Sequence, residues 1–272
     1  MKRLLLVLMV LILYAPAWSA NDFSGDPNCM AVYRFESGAL TTDSSAYSHT
    51  LTSQGSAAPN TVDYQEGAAS VIMTSASSDR MTIADADLDP NFPFQSSGNQ
   101  RSISVTFWFS PDILSGTQYC VSHAALTQTC FNVYSLVDLI VIQHGYDSGA
   151  SLESTTPSGT GMTVNQWYFV AATLSNPTGA WTLDVWGETE AAWTQSQSGT
   201  FANANSEETD ALLYAIGSYN GVSYTGEVNG LIDEMVFFND ILTADEIVSI
   251  RGGTFGEAAT GTSDWWYRRR HN

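Results

Sequence analysis

The sequence predicts an all-β protein, two antiparallel sheets packed face to face as a jelly-roll sandwich, with one short C-terminal helix. Three observations carry this reading. Short runs rich in Val, Ile, Tyr, Phe, Trp and Thr recur along the chain. Clusters of Ser, Thr, Gly, Asn and Asp separate them, at 39–62, 147–162 and 194–209. One stretch near the end carries the start signals of a helix. Many short strands with polar breaks bury their apolar faces by stacking sheet on sheet.

Taken in order, the chain opens with MKRLLLVLMVLILYAPAWSA. Lys2 and Arg3 precede an apolar run from Leu4 to Tyr14, which is too short for a membrane span and the right length for a signal peptide. Cleavage after Ala17 or Ser19 satisfies the small-x-small rule, and cleavage after Ala20 puts Trp18 at the −3 position. All three stay open, and residues 1–20 are set aside as a signal peptide. Residues 21–28 form a short lead. Strand-like runs follow at 30–35, 69–75, 79–85, 102–110, 118–123, 130–135, 138–145, 166–175, 181–187, 191–198, 211–219 and 230–239. In "TADEIVSIRGG", Thr243 and Glu246 make a capping box, Ile247 and Ile250 share a face, and Gly252 offers a left-handed stop. Residues 253–272 lack periodicity, turn basic at the end and read as a tail or linker remnant. The domain proper is 29–252.

Charge narrows the partners. Without Lys2 and Arg3 the 9 basic residues fall to 7 against 28 acidic ones, a net charge of −21. Nucleic acid and anionic membranes both demand cationic contacts, so neither is a partner. No stable membrane insertion is expected once the signal is removed. Export predicts a secreted, periplasmic or cell-surface protein. It also makes a disulfide plausible between Cys120 and Cys130, which flank a short segment between strand-like runs. Cys29 is then either buried and free or paired outside the chain. No Cys/His spacing suggests zinc.

The strand "GLIDEMVFFN" sets a problem. Strict alternation puts Leu231, Asp233, Met235 and Phe237 on one face and Ile232, Glu234, Val236 and Phe238 on the other. Both faces are apolar further along, so an inward carboxylate loses water. It must then protonate, meet a cation or accept backbone N–H bonds.

"NGLIDEMVFFNDILTADEI" resembles the terminal signature of laminin-G-like, concanavalin A-like jelly-roll domains. "AVYRFESG" looks like the first strand of that family, and "DSSAYSHTLT" like its Asp-x-Ser-Gly loop with Ala46 in place of Gly. "SISVTFWFSPD", "NQWYFVAATLS", "WTLDVWGE" and "YAIGSYNG" follow in the family's order. The resemblance spans about residues 29–252. It implies a structural Ca2+ near Asp43 and Asp233, with Glu36 and Glu234 as weaker ligands. The alternative is that Asp233 only accepts N–H bonds from the 43–49 loop.

The expected function is an exported, non-catalytic binding module for a glycan or an extracellular surface partner. Its ligand-binding candidates are aromatics expected in loops: Trp186 in a hairpin turn, Tyr219 and Tyr224 around "NGVS", and Tyr47 in the 43–49 loop. An adhesive or structural component of a surface assembly that binds protein is the alternative. A polysaccharide hydrolase or lyase is the weakest reading. Adjacent Asp233 and Glu234 lack the same-face spacing of a glycosidase pair, and Gln143 and His144 are adjacent rather than one apart.

Overall fold

A computed structural model describes residues 21–94, 102–125, 128–146, 151–155, 161–176, 178–188, 195–202, 213–219 and 225–256. Its strands form two antiparallel sheets. The eight-stranded sheet runs in the order β13 (Gln195–Thr200), β12 (Ala180–Gly187), β11 (Tyr168–Leu174), β6 (Ile103–Pro111), β15 (Gly230–Phe238), β4 (Ser70–Met73) and β3 (Ala58–Asn60). Strand β1 (Cys29–Tyr33) lies along the second half of β15. The seven-stranded sheet runs β10 (Ser151–Thr155), β9 (Leu139–Tyr146), β8 (Gln128–Leu136), β7 (Thr117–Ala125), β14 (Leu213–Ile216), β5 (Arg80–Ala84) and β2 (Thr52–Gln54). Helix α1 (Ala244–Arg251) follows the last strand. Among the described residues no helix is long and apolar enough to cross a membrane.

Between the sheets lies the main core, built from Met30, Met73, Phe107, Phe109, Phe131, Tyr214, Met235 and Phe237 among others. Fully burying one such Phe side chain contributes about 1.5–3 kcal/mol. A second apolar layer covers the outer face of the eight-stranded sheet. Trp108, Trp167, Phe169, Leu231, Val236 and Phe238 meet Ile247 and Ile250 of α1 there. The helix forms as its sequence dictates. Glu246 N donates to the Thr243 side chain, and the Glu246 carboxylate accepts from Thr243 N at 2.7 Å. Its stop differs from the expectation: Gly252 stays right-handed at φ −82° and Gly253 takes the left-handed φ of 68°.

Four strands fall inside stretches read as polar breaks, among them β13, whose residues 195–198 also end the strand-like run at 191–198. β2 and β3 have three residues each and β10 has five, all at or next to sheet edges. Pairing to a neighbour, rather than apolar content, holds such strands. The lead also meets the first residues after the helix. Phe255 packs on Phe23 with ring centroids 5.1 Å apart, and its carbonyl accepts from Asp22 N. Lead and tail therefore clasp each other on the sheet as far as the described chain runs. Trp265 and Trp266 lie outside the described residues.

The register corrects the expected disulfide. Cys120 sits at an irregularity opposite Val133 and Tyr134, while Cys130 sits at another opposite His123 and Ala124. At about 3.4 Å per residue they are about 12 Å apart along the ladder, beyond disulfide reach. Both are buried and outside any disulfide, as is Cys29.

Strand β15 departs from simple alternation. Ile232, Met235 and Phe237 face the main core, whereas Leu231, Val236 and Phe238 face the helix layer. The phase changes by one residue between Asp233 and Val236, where the register with β6 shifts. Glu234 takes a left-handed φ of 46° at that point. A β-bulge has been inserted, and it changes which side chains share a face. The partner on the other edge changes there too, from β4 to β1.

Candidate functional site

The four acids proposed for calcium are engaged separately. Asp43 Oδ1 accepts from Val32 N and Ser45 N, both at 2.8 Å. Its Oδ2 accepts from Ser45 Oγ at 2.7 Å and His49 N at 2.8 Å. Asp43 thus pins its own loop to β1. Asp233 Oδ2 accepts from Gln65 N at 2.8 Å and Glu66 N at 3.1 Å, and Oδ1 from Glu234 N at 2.9 Å. It anchors the 65–66 turn and not the Asp43 loop, which corrects the expected tie. Glu36 accepts from Ala68 N on the same turn. Glu234 forms an ion pair with Arg34 at 2.9 Å. Calcium wants six to eight oxygens in one shell. These carboxylates instead face N–H donors and a guanidinium, so they do not fit one calcium site. Among the described residues no group of three His, Cys, Asp or Glu side chains is placed to hold a metal ion.

Burial dominates the electrostatics of this group. It pushes the Asp233 carboxyl up to about 7, against the lowering effect of its backbone N–H donors. Glu234 and Glu66 are raised for the same first reason, while Arg34 pulls both down. Asp233, Glu234 and Glu66 sit together because the bulge brings adjacent residues to one region. The expectation that the adjacent pair points to opposite faces therefore fails.

The structure scatters the predicted aromatics. Trp186 lies within β12, not in a turn, and its cross-strand partner is Phe169. It is half-buried against the helix layer, with the Arg251 guanidinium 3.6 Å from its ring centroid. Tyr47 is half-buried, stacks on His49 at 5.8 Å, and donates to Pro27 O. Tyr224 lies outside the described residues. Tyr219 joins a group of tyrosines: its ring is 4.9 Å from that of Tyr119, which is 4.9 Å from that of Tyr134.

This tyrosine group belongs to the outer face of the seven-stranded sheet. On β8, Phe131 and Val133 point into the main core, so Asn132 and Tyr134 point away from it. Tyr119 is the direct partner of Tyr134 across the β7–β8 ladder. Gly226 presses on the Tyr119 ring, where an added Cβ would come within 2.7 Å of a ring carbon, so this contact requires a glycine. Burial pushes the Tyr119 phenol up to about 12, so it remains an O–H donor at neutral pH.

Beside the tyrosines the register lines up one residue from every strand. Thr52 pairs with Thr82, Thr82 with Ala215, Ala215 with Ser122, Ser122 with Asn132, Asn132 with Gln143, and Gln143 with Ser154. Six of these seven residues are polar. Asn132 Nδ2 donates to Gln143 Oε1 at 2.8 Å. Asn132 Oδ1 and Ser122 Oγ are buried with no protein hydrogen-bond partner. Such atoms are rare in folded proteins and mark places where water or a ligand completes the bonding. The sequence reading missed Tyr119, Tyr134 and Asn132, and weighed Gln143 only against a lyase pattern, because each looks like ordinary alternation within its own strand. Only the cross-strand register collects them.

Comparison with known proteins agrees with this architecture. A model of the concanavalin A-like lectin/glucanases superfamily matches residues 75–248. No curated protein sequence matches the chain. The binding domain of botulinum neurotoxin serotype D superposes with a TM-score of 0.58 at 17% identity, covering 83% of this chain and 52% of that one. Domain 4 of AbnA, a GH43 extracellular arabinanase from Geobacillus stearothermophilus solved with arabinotriose, gives 0.56 at 17% identity, covering 82% and 98%. A chain from work on the dependence of botulinum neurotoxin type C cell entry on two ganglioside molecules gives 0.56 at 10% identity, covering 84% and 51%. The present chain spans about half the length of the matched neurotoxin chains. The family match covers well over half of the chain, and with the two-sheet sandwich it leads to one conclusion: this chain belongs to the concanavalin A-like lectin/glucanase superfamily.

Proposed function

We propose that this protein is an exported, non-catalytic module that binds a glycan on the outer face of its seven-stranded sheet. The observation that carries the reading is the polar row from Thr52 to Ser154 lying beside the Tyr119, Tyr134 and Tyr219 group. Aromatic rings stack on the C–H faces of sugars, and amide and hydroxyl groups fix sugar hydroxyls. Gln143 is half-buried and is the amide of the row that a ligand would reach, while Asn132 and Ser122 are fully buried within it. The arabinotriose and ganglioside named for two structural neighbours are consistent with a sugar ligand.

A non-catalytic role fits the state of the adjacent acids. Asp233 is held by three backbone N–H groups and Glu234 by Arg34, in the other sheet. The alternative adhesive reading through Cys29 loses its motive. That thiol is buried in the helix layer, and burial pushes its pKa up. The test is a glycan array of the folded protein beside Tyr119→Ala, Gln143→Ala and Trp186→Ala variants. The reading expects a hit weakened at least about tenfold by the first two and unaffected by the third. A hit lost only on Trp186→Ala would move the ligand to the helix side. Sugar release from the array hit would make the protein an enzyme.

A further inference from the structure

Asn21, the first described residue, is 3% exposed, and its polar atoms are fully used. Its Nδ2 donates to Glu66 Oε1 at 2.8 Å and to Ile250 O at 2.9 Å. Its Oδ1 accepts from Phe255 N at 2.9 Å, and its carbonyl accepts from Arg34 Nη2 at 2.7 Å. Four contacts therefore fix where the main-chain nitrogen of residue 21 sits, and its N–H acts on the Glu66 carboxyl.

The carboxyls beside it are short of partners. Glu66 and Glu234 are 7% and 4% exposed. Glu66 Oε2 and Glu234 Oε1 are both buried without a hydrogen bond. Asp233 stands next to them, and Arg34 is the basic side chain in contact. Three buried acids beside one guanidinium leave a place for a second cation. A helix carbonyl, a guanidinium and a tail amide already surround Asn21, so the group free to change is its own main-chain nitrogen.

We propose that export processing cuts the chain between Ala20 and Asn21, and that the α-ammonium released on Asn21 docks on the Glu66 carboxylate. A signal peptidase uses water for this step. The hydroxyl joins the Ala20 carbonyl, and the amine left on Asn21 takes up a proton at neutral pH. One N–H donor becomes three, with a positive charge, beside the Glu66 carboxyl. Of the three cuts that the sequence leaves open, this one delivers the new amino group to that pocket, despite Trp18 at −3. Folding of the mature module is then completed by removal of its leader. The inference rests on the export part of the proposed function.

The test has two arms. Expression of the full-length chain in a secreting host, with mass spectrometry of the exported protein, should give a first residue of Asn21. Separately, protein beginning at Asn21 is compared with protein carrying one added Gly before it, each with and without Glu66→Gln. The authentic start should melt about 5 °C higher than the extended one, and Glu66→Gln should remove that difference. An exported chain starting at Trp18 or Ala20 overturns the inference and leaves export standing. Equal melting of the two forms, or a difference that survives Glu66→Gln, overturns it as well. A chain retained uncut in the cell overturns the export reading and the inference together.

Discussion

The outer faces of the two sheets differ in kind. That of the eight-stranded sheet carries Trp108, Phe169, Leu231 and Phe238, and is covered by α1, the lead and the tail. That of the seven-stranded sheet carries a polar row and a tyrosine group, and belongs to neither apolar cluster. Both sheets are antiparallel and share one core, so the contrast comes from the outward half of each alternating pattern. Where that half is apolar, chain ends are recruited to cover it. Where it is polar and aromatic, Ser122, Asn132 and Ala215 at the centre of the row are fully buried, and the half-buried Tyr119, Gln143 and Tyr219 are the side chains that the proposed ligand would meet. If one face supplies stability and the other the proposed recognition, substitutions should separate the two.

The largest loss of stability should come from the loop anchors on the first side. Asp43→Ala leaves four donors without their acceptor, two on β1 and its loop and two more at Ser45 Oγ and His49 N. It should cost about 3–5 kcal/mol in urea unfolding, and excess chelator should leave the wild-type melting curve where it is. A chelator-induced fall in melting temperature would restore calcium to this family member. Next, Ile250→Ala removes a buried side chain of α1 from the helix layer and should cost about 2–4 kcal/mol.

Acidity should act on the same side. The carboxyl of Asp233 is raised from 3.8 to about 7 in the folded chain. The folded state thus holds this proton more tightly than the unfolded state does. The stability gained from the neutral form is complete below about pH 3.8 and is lost as pH rises through about 7. The stability difference between wild type and Asp233→Asn should follow that window. A difference independent of pH would show that Asp233 is ionised throughout.

Trp186→Ala should be milder, about 1–2 kcal/mol, since it removes a half-buried ring and its Arg251 contact. Gln143→Ala, on the other sheet, should change stability by about 0.5 kcal/mol or less while weakening glycan binding about tenfold. A large stability cost there, with binding intact, would break the comparison.

Much of the sandwich was legible in the sequence. β6, β11 and β15 read directly from their apolar runs, and the Thr243–Glu246 box marked the helix. The short edge strands were not, because three residues such as Thr52–Gln54 carry no periodicity. Asp233 was legible as a buried acid in need of partners. Its donors were not, because they come from a turn 167 and 168 residues away in sequence. The bulge at Glu234 was invisible because alternation on either side looks regular. Trp186 was misplaced by the Gly after it, which is the last residue of β12. The candidate ligand face is a property of register across seven strands, and no single segment encodes it.

The central claim is that the ligand meets the outer face of the seven-stranded sheet. Its most direct test is an amide chemical-shift titration of the uniformly labelled protein with the strongest array hit. The account predicts saturable shifts at Tyr119, Ser122, Asn132, Tyr134, Gln143 and Tyr219, with Phe169, Trp186 and the residues of α1 unmoved. Shifts confined to Trp186, Arg251 and their neighbours would contradict it.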